Sequence, residues 1–333
     1  MNKYLKTLLL GLVLACACCY GVEFNAKSYC DCNIPNHQAP GSTHPHKPDN
    51  FPNIYYENRI HCLQKLLPQY SAETIVGLMV NREGETKDSN MTALGVHKII
   101  RKKQPYEITL DGFQEVEHAN PINLEERLSL PLPPAPPPYV EIDAVWDKTP
   151  IESGDENNIL GGNGLFLIDT AFINVPVVEA SDETLAYYGG RIVQFGDVVE
   201  FPDDDFPIWA MNLGENYVKD FVMTQKGGGM YLEYHCDRPH FHMPLTDDAR
   251  GYLILGKKTS VIDGELQKFK YHLTAFKIPF GKGVYTYKCT VHADPALIGT
   301  AWLVGYDNAK HYSTVLVREK DTNEKVTINF IEQ

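Results

Sequence analysis

Glu233-Tyr234-His235-Cys236-Asp237-Arg238-Pro239-His240-Phe241-His242-Met243-Pro244-Leu245, followed by Gly251-Tyr252-Leu253-Ile254-Leu255-Gly256, is the stretch on which the fold turns. Its pieces are short, rich in aromatic and β-branched residues, and bounded by Pro, Gly or Asp, which is the pattern of strands rather than helices. Side chains alternate along a strand, so Glu233 and His235 share one face. His240 and His242 share one likewise, with Phe241 sent into the opposite layer.

Outward from this stretch the same pattern repeats at 165–169, 171–178, 191–195, 271–278 and 301–305, and 230–235 and 251–256 belong to it. Many short strands at close spacing with few helical stretches predict a mainly β domain over 151–333, an antiparallel sandwich or jelly-roll barrel. Upstream, Pro131-Leu132-Pro133-Pro134-Ala135-Pro136-Pro137-Pro138 must be extended, because proline fixes φ and lacks an amide donor. Composition changes on either side of it, so 131–150 is read as a stiff linker. The region 22–130 is expected to be a smaller mixed α/β part. Ile60, Leu63, Leu66 and Leu67 recur at helical spacing until Pro68; Ser71 is a candidate N-cap for a second short helix carrying Ile75, Leu78 and Met79. Strands are expected at 96–100 and 106–110.

The chain has 333 residues and a formal net charge of −13, with pI ≈ 5.4. A phosphate backbone would be repelled, which argues against nucleic-acid binding. Residues 1–21 read as an export signal: Lys3 and Lys6, then the apolar run from Leu8 to Ala15, then small residues Ala15 and Ala17. That run is too short to span a membrane, and no later span replaces it. Leu12-Val13-Leu14-Ala15-Cys16 also resembles a lipobox, so a lipid anchor at Cys16 stands beside a plainly cleaved signal. Either reading predicts an exported protein: periplasmic, outer-membrane-anchored or secreted. Beyond the signal remain Cys30, Cys32, Cys62, Cys236 and Cys289. In an oxidising compartment Cys236 and Cys289 are disulfide candidates, the alternative being two buried thiols.

A His-x-His pair on one strand face puts two imidazoles within reach of one divalent metal, and imidazole suits Zn, Fe, Ni or Cu. The expected set is His240, His242, an acid at Asp247 or Asp248, and the distant His292. Glu233 and His235 are the candidate proton-moving pair, since an inward strand carboxylate is costly without a task or a partner. Arg238, Lys282 and Lys288 are candidates for a substrate carboxylate, with ordinary surface ion pairs as the alternative. Gly227-Gly228-Gly229 and Asp203-Asp204-Asp205 read as turns rather than as phosphate or calcium loops.

Taken in order, His240-x-His242, a following acid, Gly251 to Gly256, Pro279-Phe280-Gly281 and His292 resemble the two-motif signature of the cupin superfamily. Within it the chain is most similar to ureidoglycolate lyases, through Glu233-x-His235, Phe241-His242-Met243-Pro244, Ala275-Phe276, Gly281-Lys282-Gly283-Val284, and His292 with Pro295. The acid differs from the usual Glu of cupins, and Pro279 to His292 is longer than the usual second motif. The resemblance implies a small barrel holding a divalent metal (Fe, Mn, Zn or Ni) and a small polar substrate. It also implies Glu233, His235 and His292 at a site that breaks a carbinolamine C–N bond. The expectation is an exported, metal-dependent lyase, hydrolase or oxygenase; the alternative is a non-enzymatic module that binds a sugar or organic acid. The oligomeric state is left open, a homodimer included.

Overall fold

The computed structural model describes residues 86–117, 120–128, 134–147, 164–224, 227–236, 238–262, 268–305 and 312–332. The expected signal with Cys16, the leader carrying Cys30 and Cys32, and the two short helices before residue 80 with Cys62 lie outside these residues.

The chain is mainly β, and seven strands close into a barrel. Around the ring these are Leu253–Val261, Val291–Ala293, Tyr231–His235, Tyr312–Glu319, Leu165–Ile168, Val140–Asp147 and Lys268–Lys277, the last returning to the first. Closure is carried by the long hairpin in which Leu253 faces Phe276 and Val261 faces Phe269. Closing a sheet on itself pairs strand edges that would otherwise be open to other chains.

A second sheet runs in the order Met91–Ile100, Phe206–Leu213, Leu297–Gly305, His240–Pro244, Lys282–Thr286 and Gly190–Gln194. The alternation of its side chains decides what each face meets. Trp209, Val284, Trp302 and Val304 join one core cluster together with barrel residues such as Leu232, Leu255 and Ala293. Ile208, Phe241, Met243, Tyr285 and Leu303 point the other way, into a second core beneath the small sheet formed by Pro105–Thr109, Gly112–Glu115, Ile122–Asn123 and Val198–Glu200. Phe241 packs edge-on against Phe113 with ring centroids 5.3 Å apart. Room for it comes from both neighbouring strands: a Cβ at Gly283 would meet its ring at 2.8 Å, and one at Gly305 would meet Phe206 at 2.6 Å and Phe241 Cβ at 2.9 Å. Because Phe241 takes the outer layer, His240 and His242 face the barrel.

Two expectations change here. The pairing is not wholly antiparallel: Ala275 runs parallel to Val177, Leu316 to Leu165, Thr327 to Phe172 and Ile122 to Val199. Of the region expected to be mixed α/β, the described residues hold strands and a 3-10 turn at Lys87–Ser89, and its two expected helices lie outside them. The proline run does not divide the chain into separate sheets. Met91–Ile100 pairs with Phe206–Leu213, and Val140–Asp147, read as linker, is a barrel strand between Leu165–Ile168 and Lys268–Lys277. The proline-rich composition hides that strand because its alternation begins only after Tyr139.

One α-helix occurs among the described residues, α1 at Asp182–Ala186. Ser181 Oγ accepts the Thr184 N–H, and the Ser181 N–H donates to Thr184 Oγ1, which closes a capping box. The turn after α1 supplies the carbonyl of Gly189, to which Thr290 Oγ1 donates over 2.9 Å, and so anchors the approach to the strand carrying His292. Among the described residues no helix is long and apolar enough to cross a membrane.

Candidate metal centre

Tyr231, Glu233 and His235 alternate onto one face of Tyr231–His235, and His292 and Asp294 onto one face of the neighbouring segment. Glu233 lies directly opposite His292 in the ladder. From the facing sheet come His240 and His242. All of these side chains are buried, His235 at 2 %, His240 at 4 %, His242 at 0 % and His292 at 1 % exposure.

His235, His240 and His292 form a triad whose ligand atoms all lie within 4.8 Å of one another. A tetrahedral zinc holds its nitrogens about 3.3 Å apart, so modest ring rotations bring the three together. Their backbone partners preset two of the rings. His235 Nδ1–H donates to the Arg238 carbonyl over 2.8 Å, and His292 Nδ1–H to the Thr290 carbonyl over 2.9 Å. Each bond fixes the tautomer that leaves Nε2 unprotonated, the arrangement in which an outer partner orients a metal-ligating imidazole. His240 differs: its Nδ1 accepts the Phe241 N–H over 3.1 Å. Ligation through its Nε2 requires that ring to move its proton to Nδ1 and give up this bond. Burial, reinforced by the neighbouring His292, His242 and His235, holds the His240 imidazole well below the usual histidine pKa, so it is neutral.

His292 Nε2 lies 3.2 Å from Glu233 Oε1 without the alignment of a hydrogen bond. With the Nδ1 proton given to Thr290, a neutral His292 would leave its Nε2 and this carboxylate oxygen as two acceptors facing each other, whereas a doubly protonated ring would make an ion pair with it. Such a contact is held by a proton or by a cation.

His242 stands outside the triad. Its Nε2–H donates to Asp294 Oδ2 over 3.2 Å, and the other oxygen of Asp294 accepts the Tyr231 hydroxyl over 2.5 Å. Burial works against the Asp294 charge, but the bonds from His242 and Tyr231 outweigh it and hold the carboxyl below its ordinary range. His242 Nδ1 is buried and has no hydrogen-bond partner, although its ring stacks on His240 with centroids 4.5 Å apart.

The residues expected from sequence thus separate into those at the centre and those at its edge. Glu233, His235, His240, His242 and His292 converge. Asp247 and Asp248 do not: both sit in an exposed turn, where Asp248 Oδ2 accepts the backbone N–H and the hydroxyl of Thr300 at 3.0 and 2.6 Å. The acids near the histidines are Glu233 and Asp294. Arg238 turns to the Asp203–Asp205 turn, with Nη1 donating to the Asp204 carbonyl over 3.0 Å; Lys288 Nζ is 3.0 Å from Asp203 Oδ1, and Lys282 Nζ 3.6 Å from Glu179 Oε1. These three cations are tied up in surface pairs rather than directed at the triad. Asp294 and Tyr231 were missed by sequence reading. Their signal was present, since Asp294 is two residues beyond His292 and Tyr231 two before Glu233, on the same strand faces. A disulfide joins Cys236, which follows His235, to Cys289, with Cα atoms 4.3 Å apart.

Comparison of the chain with protein-family models, with curated proteins and with solved structures finds no match. Fold and site define it on their own terms: a mainly β protein with a closed seven-stranded barrel and a buried histidine triad that could hold a metal ion.

Proposed function

We propose that the chain is an exported cupin-type enzyme that uses a divalent metal at His235, His240 and His292 to act on a small polar molecule, as a lyase, hydrolase or oxygenase. The observation that carries this reading is the buried convergence of His235, His240 and His292, whose ligand atoms all lie within 4.8 Å of one another. Three imidazole nitrogens favour zinc, iron, nickel or copper over calcium or magnesium, which prefer oxygen donors. When bound, such an ion supplies a Lewis acid that polarises a carbonyl or activates water.

The chain's own groups divide the remaining work. Glu233, beside the triad, is the group placed to take or hold a proton of the substrate. Asp294 fixes His242 in the tautomer whose Nδ1 accepts, and Tyr231 keeps Asp294 turned to that task. Burial of the whole cluster excludes bulk water. In the carbinolamine cleavage implied by the likeness to ureidoglycolate lyases, Glu233 would take the hydroxyl proton as the C–N bond breaks and return it to the leaving nitrogen. The depth of the triad favours a second reading, a non-enzymatic module that holds a small ligand through the same ion.

Metal analysis of the purified protein tests the proposal. About one Zn, Fe, Mn, Ni or Cu per chain is expected, lost in His235→Ala, His240→Ala and His292→Ala and kept in His242→Ala. A folded protein that takes up none of these metals overturns it. Loaded protein that releases no glyoxylate from ureidoglycolate removes that substrate, and loaded protein without turnover on any small polar substrate favours the binding module.

A further inference from the structure

Cys236 and Cys289 are exposed, whereas the histidines they flank are buried. Cys236 is the residue after His235, and Cys289 lies three before His292, so one cross-link spans the approaches to two of the three rings. Little else ties these approaches together. The strands carrying His235 and His292 share a single ladder pair, Glu233 with His292, and the nearest further tie is the Cys289 N–H donating to the His235 carbonyl over 2.7 Å. That tie depends on the backbone of Cys289, which is held at φ 67° in the left-handed region, a costly conformation for a residue with a Cβ. Releasing the sulfur removes a constraint that keeps Cys289 there. When Cys289 relaxes, its bond to His235 opens, and the neighbouring Thr290, whose carbonyl orients His292, is left with its hydroxyl bond to Gly189.

We infer that the Cys236–Cys289 disulfide is a site of thiol–disulfide exchange that sets the affinity of the His235–His240–His292 triad for a divalent metal. The inference rests on the triad being a metal site, as proposed above. The exchange balances with a dithiol as reductant. Its thiolate attacks one exposed sulfur and expels the other as a thiolate, giving a mixed disulfide. The second thiol of the reductant then closes its own ring. Two electrons and two protons pass to the protein as Cys236 and Cys289 thiols, and the reductant leaves as a cyclic disulfide. The oxidised protein is the high-affinity state; the reduced protein keeps its barrel, since Tyr231–His235 stays paired with Tyr312–Glu319 and Val291–Ala293 with Leu253–Val261, but positions His235 and His292 poorly.

The test is a zinc titration against a chromophoric chelator on the full chain, oxidised, reduced and alkylated, and in the double variant Cys236→Ser, Cys289→Ser. Because the variant lacks only this cross-link, it separates the effect from the cysteines elsewhere in the chain. Loss of an outer support of a metal ligand weakens binding about 10- to 100-fold, so a rise in Kd of at least about tenfold is expected in both reduced and variant protein. Reoxidation should restore the original Kd in the unalkylated protein. Equal Kd values in all forms overturn the inference, as does loss of the β circular-dichroism signal on reduction, which would make release a result of unfolding. If the oxidised protein itself binds no zinc, the metal reading has failed, an outcome distinct from equal binding in every form.

Discussion

The hydroxyl of Tyr231 donates to Asp294 across 2.5 Å inside the molecule, and the other oxygen of that carboxyl takes the proton of His242. One acid thereby fixes two side chains from two different sheets. Asp294→Ala leaves a buried imidazole N–H and a buried hydroxyl without acceptors, and each such group costs about 1–3 kcal/mol. We expect a loss of about 3 kcal/mol in urea denaturation, whereas Tyr231→Phe, which removes one bond and leaves Asp294 paired, should cost about 1 kcal/mol. Equal losses for the two variants would show that Asp294 is not the shared acceptor.

A ligand that binds only the folded state stabilises it by mass action. Zinc at a hundredfold excess over its Kd should add about 2.7 kcal/mol, or on the order of 4 °C in Tm for a chain of this size. His292→Ala should abolish that shift, and His242→Ala should retain it. Calorimetry with and without added zinc measures both.

The layer of Phe241 is tightly filled, by Phe113 on one side and by the space left at Gly283 and Gly305. Phe241→Ala should cost about 3–5 kcal/mol, the usual range for emptying a buried aromatic site. Gly305→Ala should also destabilise, because its Cβ would meet Phe206 at 2.6 Å with the strand backbone fixed on both sides. Equilibrium unfolding of both variants is the check, and an unperturbed Gly305→Ala would mean that the Phe206 ring yields freely.

Asp248 is a turn residue here. Partial burial works against its charge, but hydrogen bonds from Thr246 and Thr300 outweigh that and hold its pKa below the ordinary value. A carboxyl depressed in the folded state adds stability that is present above about pH 4, its unfolded value, and fades as pH falls through the lower folded value. Asp248→Asn should flatten that acid limb of the stability curve while leaving metal content unchanged. Loss of metal in this variant would return Asp248 to the site.

Much of the barrel was legible because 165–169, 230–235, 251–256 and 271–278 each carry a run of β-branched or aromatic residues between turn formers. Val291–Ala293 is too short to display a period, and Phe206–Leu213 reads as a continuous apolar run because it is buried on both faces. Parallel partners such as Leu316 and Leu165 stay hidden since nothing local encodes which distant edge a strand meets. Around the metal centre, alternation correctly puts His240 and His242 on one face. Which of the two joins His235 and His292 depends on the stagger between barrel and facing sheet, a tertiary quantity. Asp247 and Asp248 were favoured by position in a motif, whereas Glu233 and Asp294 reach the centre through cross-strand register.

The placement of Val140–Asp147 within the ring has a practical side. The proline run invites truncation at residue 151 to isolate a tidy C-terminal unit. Such a fragment would lack one stave of the cask together with the outermost strand of the facing sheet, and its bare hydrogen-bonding edges would recruit neighbouring copies into aggregates.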